Sequence, residues 1–169
     1  MRRCTLVATP HACGPIPLLG WSGKDGVNSR VLDPHPVIDL SRYVVEPLRK
    51  DENYVLYRGR SKYDASQILV LSPRAEYPAP EILRRLEHEY SLKLELDPAW
   101  ATRPIAMARH WDRPVLVLED PGGVPLDQLL GRSLEIAFSL RLAISLSHAI
   151  DHLHQRGIVH KDIKPPMFW

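Results

Sequence analysis

Near the end of the 169-residue chain, His160-Lys161-Asp162-Ile163-Lys164-Pro165 sets a carboxylate, two ammonium groups and an imidazole side by side. A carboxylate at Asp162 can orient a hydroxyl group and accept its proton, and the ammonium of Lys164 can offset negative charge building on a transferred group. His160 can brace such a loop by packing and hydrogen bonding, and Pro165 stiffens its exit. The plain alternative is a polar helix–loop junction whose charges face water. Gly157 and the apolar pair Ile158-Val159 directly upstream, behind a long apolar-striped segment, favour an ordered loop.

Other groups that could do chemistry are sparser. Cys4 and Cys13 are the only two cysteines, and with His11 between them they lack a fourth ligand, so neither a disulfide scaffold nor a zinc site is expected. His148 and His152 are four apart and could share a metal, but no glutamate base lies between them, and His154 falls on another face. Packing or surface positions are expected for these histidines, and packing for Trp100, Trp111 and Trp169. Arg49, Lys50, Arg58, Arg60 and Lys62 form a modest basic patch read as solvated surface. With 22 Lys+Arg against 20 Asp+Glu, the net charge of +2 points to no polyanionic partner, and no nucleic acid is expected. No apolar run reaches membrane-spanning length, and prolines interrupt the segment after Met1-Arg2-Arg3, so the expectation is a cytoplasmic chain without a membrane segment.

The elements that must position the Asp162 loop follow from periodicity. Residues 1–39 are dense in proline and glycine and read as an irregular leader. Strands are expected at Tyr43–Val45, Tyr54–Gly59, Gln67–Ser72, Pro104–Ala108 and Val115–Glu119, the second and third forming an antiparallel pair. Pro78-Ala79-Pro80-Glu81 opens a helix with Ile82, Leu83, Leu86, Tyr90 and Leu94 on its buried stripe. Leu126–Leu130 is a short helix. A long one runs from Ser133 to about Gln155, with Ser133 as cap and Ile136, Leu140, Ala143, Ile144, Ser147 and Ile150 facing inward. Gly157 supplies its left-handed exit. The fold class is α+β: an antiparallel sheet with one packed helix (residues 40–119), then a linker and a helical start (residues 120–169).

On His160-Lys161-Asp162-Ile163-Lys164-Pro165 the chain resembles the catalytic loop of protein kinases, with Lys161 where arginine is commoner, and the resemblance extends over residues 40 to 166. It implies a small lobe plus the first helices of a large lobe. It also implies ATP and Mg2+ as cofactors and transfer of a phosphoryl group to a protein hydroxyl, with Asp162 as base and Lys164 as the phosphoryl-side cation. In the same picture Glu119-Asp120-Pro121-Gly122-Gly123 is the hinge that binds adenine, which makes Glu119 and Pro121 nucleotide-binding. Glu89 is the helix glutamate that pairs with a strand lysine. Tyr57-Arg58-Gly59-Arg60, Arg85-Leu86-Glu87-His88-Glu89-Tyr90 and Leu96-Asp97-Pro98-Ala99-Trp100 resemble the N-terminal kinase-like domain of bacterial multidomain sensor histidine kinases. That resemblance implies protein substrates or the partner modules of a longer signalling protein.

Several positions depart from the pattern. Leu71 occupies the position of the strand lysine, with Lys62, Arg58 and Arg60 as nearby substitutes; residues 49–53 contain no glycine; and Met167 stands where a metal-binding asparagine is expected. The later parts of a kinase domain have no counterpart, which reads as a C-terminal truncation. Impaired transfer is therefore expected of this chain, with a non-catalytic regulatory fragment as the alternative. Self-association through an exposed apolar face of the long helix is also expected.

Overall fold

A computed structural model of the chain describes residues 2–4, 38–131 and 133–168. His11, Cys13, Trp169 and most of the expected leader lie outside the described residues. The expectation of an irregular leader needs one correction within them: Arg2–Cys4 forms a strand, β1. Five strands then build one antiparallel sheet: β2 (Tyr43–Lys50), β3 (Tyr54–Ser61), β4 (Gln67–Pro73), β5 (Pro104–His110) and β6 (Arg113–Glu119), in the order β2-β3-β4-β6-β5. The α1 helix (Pro80–Ser91) connects β4 to β5, and α2 (Ile136–Gln155) leads to β7 (Ile158–His160). There β1 pairs in parallel with β7.

The central strands are apolar on both sides because both sides are covered. Along β4, Leu69 and Leu71 point with Leu56, Leu116 and Leu118 toward α1 and α2, while Ile68 and Val70 point with Val115 and Val117 toward Leu40 and Ile38. Strict alternation on each strand thus feeds two cores. Gly59 in the middle of β3 has a specific cause: a Cβ there would stand 2.9 Å from Cγ1 of Ile68. The β5–β6 connection turns on Trp111 and Asp112, which adopt φ of 48° and 57°, the left-handed conformation of a two-residue hairpin. That places the turn earlier than Asp112-Arg113-Pro114.

The edge strand β2 runs well past Val45 and carries Pro47, which an edge tolerates because one row of its donors is unpaired. A bulge between Pro47 and Arg49 sets Pro47 opposite Tyr57 but Arg49 opposite Leu56. One extra residue flips every later side chain to the other face. Arg49 therefore shares the face of Leu56, toward the helices.

The helices also differ from expectation at their ends and faces. The α1 helix stops at Ser91, so Leu94 lies beyond it and is 89% exposed, while Leu86 is fully buried against the sheet. The α2 helix starts at Ile136 with Glu135 rather than Ser133 at its N-cap, and Glu135 makes no side-chain cap. Its buried side is Leu146, Ala149 and Leu153. Ile136, Leu140 and Ile144, expected to face inward, are 78%, 59% and 57% exposed. Only the side of α2 that meets the sheet-side core finds neighbours among the described residues. Gly157 takes φ 69° and reverses the chain into β7 as expected. No helix among the described residues is long and apolar enough to cross a membrane.

Candidate functional site

The loop after β7 is held from three directions. His160 is buried, and its Nδ1 accepts a hydrogen bond from the backbone N–H of Asp162 at 3.3 Å. Beyond Asp162, a single 3-10 turn at Pro165–Met167 drops Met167 and Phe168 into the core beneath the sheet, and the Phe168 carbonyl accepts from Leu126 N–H at 2.8 Å. The Arg49 guanidinium reaches across from β2, donating through Nη1 to the Pro166 carbonyl at 2.8 Å and to Sδ of Met167 at 3.5 Å. The bulge in β2 makes that reach possible.

Between these supports lies a cleft of about 170 Å³, walled by the β2–β3 turn, Leu71 of β4, α1 and the Asp162 loop. Asp162 and Lys164 both line it, and so does Glu89. Nζ of Lys164 lies 2.7 Å from Oδ2 of Asp162, and both side chains are about two-fifths exposed, at 41% and 39%. An ion pair this open contributes at most about 1 kcal/mol, so a ligand can exchange for either partner. Glu89 is only 3% exposed, so this acid on α1 is turned away from solvent. Tyr54, beneath the turn, donates its hydroxyl to the Ile82 carbonyl at 3.1 Å; burial raises its pKa, partly opposed by the Arg85 charge.

The turn that closes the cleft is ordered without glycine. Oδ1 of Asp51 accepts from the N–H groups of Asn53 and Tyr54 at 3.0 and 2.8 Å, an Asx turn, and Arg74 N–H donates to the Asn53 carbonyl at 2.9 Å.

Other expected site residues are elsewhere. Glu119 and Pro121 do not line this cleft. The Glu119 carboxylate is held by Arg103 through Oε1, and its backbone N–H donates to the Arg103 carbonyl at 2.9 Å. Of the cations offered as substitutes for the missing lysine, Arg58 is bound to Asp120, Lys62 donates to the Ser41 carbonyl at 2.7 Å, and Arg60 is exposed on β3; none lines the cleft. Arg49 and Arg85 line it instead. Arg85 was legible in principle, four residues before Glu89 on one helix face, whereas Arg49 depended on the bulge. His152 stacks on Trp100 with centroids 5.4 Å apart, and the Arg156 guanidinium lies over the same indole, so these groups pack rather than bind metal.

No protein-family model matches the chain, and no curated protein matches it closely. Among the described residues no group of three or more His, Cys, Asp or Glu side chains could hold a metal ion. Met167 is buried in the core, and its soft thioether is a poor ligand for magnesium, which wants hard oxygen. The cleft brings the cations Arg49, Arg85 and Lys164 together with the acids Asp51, Glu52, Glu89 and Asp162, beside the apolar Leu71 and Leu86.

Proposed function

We propose that this chain carries a kinase-like phosphoryl-transfer site of impaired activity. The observation that supports it is the convergence of Asp162, Lys164 and Glu89 on one cleft between an antiparallel sheet and the loop after α2. In this reading Asp162 takes the proton of an acceptor hydroxyl as that oxygen bonds to the γ-phosphorus of ATP. The bond from phosphorus to the bridging oxygen breaks, ADP leaves with the electron pair, and Lys164 offsets the charge on the moving group. The acceptor is a protein hydroxyl, on a substrate or on a partner module of a longer signalling protein.

A second reading, a non-catalytic interaction module, is favoured by Leu71, which sets an apolar side chain in the cleft where a cation is needed. The deciding experiment incubates the purified chain with γ-labelled ATP and mixed protein acceptors. Incorporation that disappears in Asp162→Asn supports transfer. No incorporation, or equal incorporation by both proteins, leaves the interaction module. The exposed side of α2 adds self-association to either reading.

A further inference from the structure

We propose that Arg85 is the residue through which the cleft recognises phosphate, a guanidinium on α1 acting where the sheet supplies no lysine. The inference rests on the phosphoryl-transfer reading and assigns the ligand's anionic end to a residue outside the catalytic loop.

The three cations of the cleft are not equally available. Arg49 is committed to the Pro166 carbonyl and Met167, with Asp51 4.0 Å away, and Lys164 is paired with Asp162. Arg85 is exposed at the cleft wall, and among the described residues no hydrogen bond or ion pair holds its guanidinium. Its backbone is well fixed, because Leu86, the next residue, is fully buried against the sheet. A rigid base with an unused planar fork of donors is what bidentate phosphate recognition asks for. Charge points the same way. Four acids, Asp51, Glu52, Glu89 and Asp162, line the cleft, and only Arg49, Arg85 and Lys164 bring cations to it. Acids already outnumber cations with Arg85 in place and the other two cations are engaged, so an anionic ligand depends on this one uncommitted charge. The neighbouring Arg84 is a natural control: it is exposed on the same helix but paired with Glu81 at 2.8 Å and lies outside the cleft wall.

The test is calorimetric titration of the full chain and of Arg85→Ala, Arg85→Lys and Arg84→Ala with ATP and, separately, adenosine. Arg85→Ala is expected to weaken ATP binding on the order of tenfold, the worth of a charged hydrogen bond, while adenosine binding is unchanged. Arg85→Lys recovers part of the loss, and Arg84→Ala changes neither ligand. ATP binding by the native chain that Arg85→Ala leaves intact overturns the inference and spares the phosphoryl-transfer reading. An equal loss for ATP and adenosine overturns it as well, as a structural effect. Absence of ATP binding by the native chain sinks both.

Discussion

Arg58 and Asp120 form a deeply placed ion pair, with side chains 14% and 1% exposed. Nη2 of Arg58 donates to Oδ1 of Asp120 at 3.0 Å in a well-aligned bond. The closer approach, Nε to Oδ2 at 2.6 Å, misses hydrogen-bond alignment and is coulombic contact. Truncating one partner strands the other as a buried charge, so Asp120→Ala should lower unfolding free energy in denaturant by about 3 kcal/mol. His110 tests pH at the same scale. Burial, reinforced by the charge of Arg113, holds its pKa below the ordinary 6.5, and its Nε2 is buried without a partner. The unfolded chain then binds the proton more readily than the folded one. Stability is therefore retained above the ordinary histidine range and lost as pH falls through it. The denaturation midpoint should drop as pH falls below the ordinary histidine value of 6.5, and His110→Phe should flatten that dependence.

At the scale of elements, the sheet depends on close approach and the helices on one face each. Gly59→Ala should cost about 1–3 kcal/mol, because its new Cβ would collide with Ile68 Cγ1 inside a filled core. A thermal melt measures this, and an unchanged midpoint would show that Ile68 moves aside freely. Leu86→Ala should cost about 2–5 kcal/mol, since the fully buried side chain docks α1 on the sheet. If Leu86→Ala also weakens ATP binding, the position of α1 matters to the cleft as the Arg85 proposal requires. The β2 bulge is the element-scale feature that periodicity could not reveal. An inserted residue leaves no mark in an alternating pattern read one strand at a time, and it is defined only against the partner strand.

For the whole molecule, the balance lies in the exposed side of α2. Ile136, Leu140 and Ile144 present adjoining apolar side chains to solvent. Association that rises with concentration is expected in sedimentation, together with binding of a hydrophobic dye. Leu140→Gln with Ile144→Gln should shift the protein toward monomer, and a native chain that is monomeric at every concentration would contradict this. The α+β class, the five strands of the sheet and the placement of Asp162 just past a long helix were all legible in the sequence. Strand and helix periods, a glycine at the helix exit and a charged hexapeptide are local signals, and local stereochemistry enforces them. Only tertiary structure decided that Glu89 is buried, that Arg49 and Arg85 rather than Lys62, Arg58 or Arg60 reach the cleft, and that Glu119 is occupied by Arg103. Those outcomes depend on strand register and on which side of each helix finds a neighbour, and both are fixed by contacts between residues far apart in the chain.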